Sequence, residues 1–451
     1  MRRSGNVLIK LMTPGLKIKR WLALLLVGVS ILTLGIVQIV ALLNNAGEFS
    51  PVLRVLTLQF LPAGVRVLVA GAVGTGAILI ALRQFTRSIL APLATQRRES
   101  VVDMVYAHTR RQKGLKIVAL GGGTGLPSVL RGLKTMTSQI TAIVTTADDG
   151  GSSGKLRREM GVLPPGDLRS NIAALADDEA LITQLFQYRF SEGGLEGHSF
   201  GNLFLTAMSD LTGGMDRAVA ETGRVLAIEG RVLPSTLQDV TLMAEVRIPG
   251  ETRLRRVNGE SQIPGAGGKI ERVFLQPDQA RAYPDAIRAI LSADLVVIGP
   301  GSLFTSILPN LLVNGIAEAL RASNAYKVYV CNVATQPGET DEFTVTDHVL
   351  ALEAHVGRNV FDAVLANDHY PTRNAGDLTH YVTHSPDDQT IYQRYDVHLV
   401  DLTDADRPWR HDSSKLARAL LTLYNRAPAG RTFALRDGSR QGAAVNGPVG
   451  G

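Results

Sequence analysis

Lys116-Ile-Val-Ala-Leu-Gly121-Gly-Gly-Thr-Gly125-Leu-Pro-Ser128 runs from an apolar, β-branched strand pattern through a glycine turn into a helical pattern. Ile143-Val-Thr-Thr-Ala-Asp148-Asp-Gly-Gly-Ser-Ser-Gly154-Lys155 repeats that grammar further on. Glycine lets backbone approach a phosphate closely, and the first N–H groups of the helix that follows have no partner within the helix. Such a turn binds an anion without a basic side chain. Two of them at the ends of neighbouring parallel strands predict a pocket for a diphosphate-containing ligand.

Further short apolar runs alternate with helical patterns at Leu295–Ile298, Val328–Val330, Ala363–Leu365 and Val397–Val400, in addition to Ile117–Leu120 and Ile140–Thr145. Continuous β-branched runs between helices predict a parallel sheet covered on both faces. Val240–Ile248 and the stretch around Arg255–Val273 instead alternate and carry Pro-Gly and Asn-Gly turns, which predicts a small antiparallel insert.

The chain has 451 residues, 20% of them charged, a formal net charge of +6 and one cysteine, Cys331. A lone cysteine excludes an internal disulfide framework. The basic residues gather near the N-terminus and in the tail, without an aromatic-interleaved stripe, which argues against nucleic acid. Trp21–Leu43 is uncharged and long enough to span a bilayer, and Phe60–Leu82 is a second candidate span. Lys17, Lys19 and Arg20 precede the first span, and Arg83, Arg87, Arg97 and Arg98 follow the second. The positive-inside rule then puts both termini and the main domain on the cytoplasmic side of the inner membrane. The predicted organisation is a basic leader (1–20), a two-span transmembrane hairpin (21–82), a charged helical connector (83–114), a nucleotide-binding domain (115–425) and a disordered tail (426–451).

Candidate ligand-binding residues follow from the turns. Gly121, Gly122, Gly123, Thr124 and Gly125 form the first, and Asp148, Asp149, Gly150, Gly151 and Ser152 the second. The adjacent carboxylates are of the type that holds Mg²⁺ or ribose, with Asp148 the candidate metal ligand; their plainer use is turn formation. Leu163-Pro-Pro-Gly-Asp167-Leu-Arg169-Ser-Asn171 sets Asp167, Arg169 and Asn171 after a rigid turn, with Arg169 suited to clamp a phosphate. His198 and Asn202 lie between glycines, and Gly301, Ser302, Asn332, Thr335 and Gln336 follow two later strands. The dinucleotide fingerprint fails because its third glycine falls on Leu126, and Walker A fails because Lys155 precedes Leu156. An NAD-linked oxidoreductase and an ATPase are therefore disfavoured.

GGGTG, ADDGGSSGKLR, LPPGDLRSN, LFQYRF, GHSFGNLFL, GPGSLFTSILPNLL and VCNVATQPGETDEF, in this order, resemble the YvcK-type gluconeogenesis factors of the 2-phospho-L-lactate transferase (CofD) superfamily. The resemblance spans roughly residues 115–370 and continues more weakly to about 425. It implies an α/β fold with a Rossmann-like, mostly parallel sheet. It also implies binding of a nucleotide sugar resembling UDP-N-acetylglucosamine and a role in cell shape and envelope synthesis. By that resemblance Gly122, Gly123, Thr124 and Gly125 face the phosphates, Asp148 lies near nucleotide or metal, and Asn171, Asn202 and Ser302 line the remaining crevice. Phe304 stands where many relatives have tyrosine, which removes a hydroxyl contact. The reading is a membrane-tethered nucleotide-sugar sensor without catalysis, partnered by envelope-synthesis proteins and a possible homo-oligomer. The alternative is a Mg²⁺-dependent transferase acting on a nucleoside-diphosphate adduct.

Overall fold

The structure is a computed structural model that describes residues 111, 112, 114–176, 179–373, 379–384 and 389–427, with six isolated positions (29, 33, 36, 61, 62 and 65) before them. The hairpin expected over 21–82 falls, those positions aside, outside the described residues, as do the leader and almost all of the tail. Among the described residues no helix is long and apolar enough to cross a membrane. The chain divides into a unit of residues 1–110 and a unit of residues 111–451, and the second contains every element named below.

Ten strands form among the described residues of that unit: β1 (Ile117–Gly121), β2 (Ile140–Val144), β3 (Arg231–Pro234), β4 (Thr241–Arg247), β5 (Arg255–Asn258), β6 (Lys269–Gln276), β7 (Leu295–Ile298), β8 (Tyr326–Val330), β9 (Ala363–Asn367) and β10 (Asp396–Val400). Seven of them make one sheet in the order β10-β9-β8-β7-β1-β2-β3, and every pairing in it is parallel. The remaining three form the antiparallel insert, in the order β5-β4-β6. The sheet is thus wholly rather than mostly parallel. It includes β3, which lacks the continuous apolar run by which the other strands were read.

Successive side chains of the central strands enter opposite cores because they point to opposite faces of the sheet. Val118 and Leu120 of β1 and Val296 and Ile298 of β7 enter one core, together with the inner face of the insert. Ile117, Ala119, Leu295 and Val297 enter the other. Both faces are covered. Among the described residues ten helices surround the sheets: α1 (Gly125–Leu133), α2 (Gly151–Met160), α3 (Gly166–Leu175), α4 (Glu179–Gln187), α5 (Phe200–Thr212), α6 (Met215–Val225), α7 (Pro284–Leu291), α8 (Ile316–Ala322), α9 (Val345–Val356) and α10 (Ser413–Arg426). Single α-helical turns lie at Leu308–Leu311 and Gln389–Tyr392.

Helix α1 buries Leu126, Val129, Leu130 and Leu133 against the sheet. Each such side chain contributes about 1.5–3 kcal/mol, so this face, rather than the turn before it, anchors the helix. On its other side α10 crosses so closely that a Cβ on Gly132 would overlap the Ser413 carbonyl oxygen. Leu416, Leu420 and Leu423 of α10 join the same core.

Candidate functional site

Strand β1 is the pivot of the sheet. The chain builds outward from it through β2 and β3 on one side and later through β7 to β10 on the other. Where strand order reverses in this way, the loops leaving the carboxyl ends diverge and open a crevice. Here they are the turn Gly122–Thr124 after β1 and Gly299–Ser302 after β7.

Close approach explains their glycines. A Cβ on Gly125 would overlap the Pro300 carbonyl oxygen and lie 2.8 Å from Gly301 Cα, and one on Gly122 would lie 2.5 Å from Asp167 Oδ2. Gly123 has φ +57°, a left-handed conformation that favours glycine. Its N–H donates to Asp167 Oδ2 at 2.9 Å. The Gly121 carbonyl accepts from the Thr145 N–H at 3.2 Å and from Asn310 Nδ2 at 2.9 Å.

Two cavities of about 370 Å³ and 500 Å³ open above these turns and share Thr124, Ser128, Arg410 and His411. The N-terminus of α1 faces both, because Gly125 lines one, Gly123 the other, and Thr124 the two together. Arg131 and Arg407 add positive charge to the larger one. A helix N-terminus beside guanidinium groups favours a negatively charged ligand. His411 Nε2 lies 3.2 Å from the Cys331 carbonyl oxygen, and burial pushes its imidazole down to about 4. It is therefore a neutral ring that donates to that carbonyl and keeps Nδ1 as an acceptor.

The third glycine turn is wired differently. Gly301 N–H donates to Asn332 Oδ1 at 3.1 Å while Asn332 Nδ2 donates back to the Gly301 carbonyl at 2.9 Å. Asn332 Nδ2 also reaches Gln336 Oε1 at 3.2 Å, and Gln336 Nε2 donates to Ser302 Oγ at 2.7 Å. Gly301, Ser302, Asn332 and Gln336 are thus one hydrogen-bonded ring on the wall of the smaller cavity. Beyond it the chain winds a π-helical turn, Leu303–Ile307, whose leading donors meet a protein carboxylate. Thr305 Oγ1 donates to Glu339 Oε1 at 3.1 Å, and the Phe304 and Thr305 N–H groups favour the charged form of the same carboxylate. Burial nevertheless pushes Glu339 up to about 7. Phe304 itself is buried edge-on against Phe343 and His355, in the apolar core.

Acids crowd the opposite side. Asp148 Oδ1 accepts from the Gly150 N–H at 2.9 Å, closing the turn before α2. Asp149 Oδ1 accepts from the Ser261 N–H at 2.9 Å and so ties the antiparallel insert to the β2 loop. Glu260, beside Ser261, is pushed up to about 9, first by burial and then by Asp148, Asp167, Asp149 and Glu339. Burial and Asp148 push Asp167 up to about 7, against the Gly123 N–H and Arg169. Yet among the described residues no three His, Cys, Asp or Glu side chains converge as a metal-binding group. Mg²⁺ is commonly held by one or two carboxylates together with the phosphates of its ligand, and Asp148 with the neighbouring Asp167 are the residues that would hold it here.

A third group of the sequence candidates gathers away from the two cavities. Ser152 Oγ sits 3.1 Å from His198 Nδ1 and accepts from Asn202 Nδ2 at 3.1 Å, and all three residues are buried. They knit α2 to the start of α5. Arg169 Nη1 donates to Ser199 Oγ at 2.6 Å, and burial followed by Arg189 lowers its pKa. Asn171 is fully buried and donates to the Asp167 carbonyl at 2.8 Å. Thr335, by contrast, lines the smaller cavity and pairs with the His380 backbone, its N–H donating at 2.7 Å and its hydroxyl accepting at 3.0 Å. Gly151, with φ +45°, has open space about its Cα.

Sequence reasoning passed over Glu260, Glu339, Arg410 and His411. Glu339 lay within a quoted polar run, where Asp341 and Glu342 follow it closely and nothing local singles it out. The other three come from the insert and from the approach to α10, and no local spacing marks them.

A family model described as 2-phospho-L-lactate transferase CofD matches residues 117–402. A protein of Nostoc sp. (strain PCC 7120), provisionally named a gluconeogenesis factor, is 48% identical over 445 residues, covering 94% of each chain. The gluconeogenesis factor of Bacillus subtilis (strain 168) is 53% identical over 253 residues, 56% of this chain and 78% of that protein. A crystal structure of a UPF0052 family member from Bacillus halodurans is 44% identical. It has a TM-score of 0.64 and covers 68% of this chain and 99% of that one.

Proposed function

The chain belongs to the 2-phospho-L-lactate transferase CofD family, with gluconeogenesis factors among its relatives, and from that premise we propose that it is a non-catalytic receptor for a nucleoside diphosphate sugar. The observation that carries the reading is the N-terminus of α1 opening, beside Arg410, into two adjoining cavities. Diphosphate recognition there needs backbone N–H groups and a guanidinium but no nucleophile. The ligand, of the UDP-N-acetylglucosamine type, orders the crevice loops, and an envelope-synthesis partner or a second copy of the chain reads that order to regulate cell shape. Residues 21–82 hold the domain at the cytoplasmic face of the membrane.

Calorimetric titration with UDP-N-acetylglucosamine tests the ligand. Saturable binding, recovery of intact ligand and at least about tenfold weakening in Arg410→Ala are expected, since losing a charged hydrogen bond costs about 1.5–3 kcal/mol. An Arg410→Ala variant that binds like wild type would remove the basis of the reading. Extraction from membranes only by detergent is expected for the full chain, and release by salt or carbonate would sink the tether.

A second reading is group transfer from a nucleoside-diphosphate adduct. It draws on the family description and on Asp167, whose carboxyl lies near 7 beside the β1 turn, a value suited to proton transfer. Turnover of such an adduct, lost in Asp167→Asn with folding retained, would favour it over the receptor.

A further inference from the structure

The loop 403–411 reaches both cavities. Thr403 and His411 bridge its ends, the Asp404 N–H donates to the Arg410 carbonyl at 2.9 Å, and Asp404 Oδ1 accepts from the Arg407 N–H at 2.8 Å. The braced loop distributes its residues. Arg407 lines the larger cavity alone, Trp409 the smaller alone, and Arg410 lines both.

The cavities differ in the same sense. Pro300, Val333, Ala334 and Pro337 join Trp409 in walling the smaller one. The larger one, apart from Pro127 and Ala173, is lined by glycine and by polar or charged residues, with Gln187 at the end of α4 among them. Trp409 is half-buried, and Arg373, which lines neither cavity, sits over its ring with Cζ 5.7 Å from the centroid. That cation–π contact steadies the indole from outside the smaller cavity.

With a diphosphate at the α1 N-terminus and Arg410, on the shared wall, one end of the ligand enters each cavity. An indole among apolar walls suits a nucleobase, because every base has a π-face to stack. A sugar's hydroxyls lose free energy when buried without polar partners, and those gather in the larger cavity.

We infer that the ligand lies in one direction, its nucleobase stacked on Trp409 in the smaller cavity and its appended sugar in the larger one beside Gln187. The inference rests on the nucleotide-sugar reading above and adds to it the orientation of the ligand and the residue that receives the base.

Calorimetry on the full chain and two variants reads the direction, since UDP carries the base and phosphates without the appended sugar. Trp409→Ala is expected to weaken UDP and UDP-N-acetylglucosamine by the same factor, about tenfold. Gln187→Ala is expected to weaken UDP-N-acetylglucosamine by about threefold or more and to leave UDP as it was. Loss for the nucleotide sugar alone in Trp409→Ala puts the sugar on the indole and overturns the inference, as does unchanged affinity for both probes. Loss of UDP affinity in Gln187→Ala, or no loss for the nucleotide sugar there, overturns it from the other side. Should Trp409→Ala fail to fold, Trp21→Phe leaves Trp409 as the only tryptophan of the chain, and its emission reports the contact without altering it. Equal quenching by UDP and by UDP-N-acetylglucosamine is then expected. Quenching by the nucleotide sugar alone, or by neither probe while calorimetry shows binding, overturns the orientation and leaves the nucleotide-sugar reading standing. A wild-type chain that binds neither probe overturns both.

Discussion

The turns after β1 and after β7 share one grammar, apolar strand, glycine, helical start, and serve opposite ends. After β1 the α1 N-terminus opens into both cavities. After β7 the equivalent donors are taken up by Glu339, and Gly301 is clamped by Asn332. One turn is a receptor and the other is a filled wall that shapes it. A carboxylate reaches both turns, Asp167 at the Gly123 N–H and Glu339 after β7, and what separates them is that the α1 N-terminus stays open to the two cavities.

Changes at each turn probe that contrast. Gly125→Ala carries the largest expected effect, because its Cβ overlaps Pro300 backbone and neither side can move without parting the two turns. A loss on the order of 3 kcal/mol, or failure to fold, is expected. Wild-type thermal stability in this variant would mean that the turns are not interlocked.

Asp167→Asn tests the receptor turn next. Its folded carboxyl lies near 7 against an ordinary 3.8, so the folded state binds more protons than the unfolded one between those values. Its contribution to wild-type stability therefore falls as pH rises from about 4 to about 7 and levels off above. The asparagine variant should lose about 2 kcal/mol of that fall, a discounted figure because Asp167 is only half-buried. Glu260, raised from 4.5 to about 9, and Glu339, raised from 4.5 to about 7, keep slopes of their own in both proteins. Parallel pH profiles for the two proteins in urea melts would overturn the assignment.

On the filled side, Asn332→Ala frees both the N–H and the carbonyl of Gly301, and about 1–2 kcal/mol should disappear from the denaturation free energy. Ser302→Ala removes one acceptor for Gln336 at a half-buried position, with an expected cost of about 0.5–1 kcal/mol. If the serine change outweighs the asparagine change, the ring is not organised around Gly301.

The strands of the central sheet were legible because a parallel strand buried on both faces must be apolar at nearly every position, as in Ile117–Leu120 and Leu295–Ile298. β3 escaped because it starts at an exposed Arg231 and ends at Pro234, and pairs with β2 alone. The insert was visible through alternation in Thr241–Arg247. The site was legible where chemistry is local, in Gly121–Gly125 and in Asp148, whose carboxylate closes its own turn. It was illegible where tertiary structure decides. Ser152, His198 and Asn202 read as ligand-facing but are buried against one another. Arg410 and His411 reach the crevice only because α10 packs across α1, a contact no spacing encodes.

The central position of β1 also sets an order of events on the ribosome. Its partner β2 begins 23 residues later (140 − 117), whereas β7 begins 178 residues later (295 − 117). At about 5–20 residues per second, the second edge of β1 stays unpaired for on the order of ten seconds or more during synthesis. For that interval an apolar edge strand is exposed to other nascent chains. The crevice, which needs both neighbours of β1, cannot hold a ligand until nearly two thirds of the chain has been translated. Nothing small enough to fit there can chaperone the first half of the sheet.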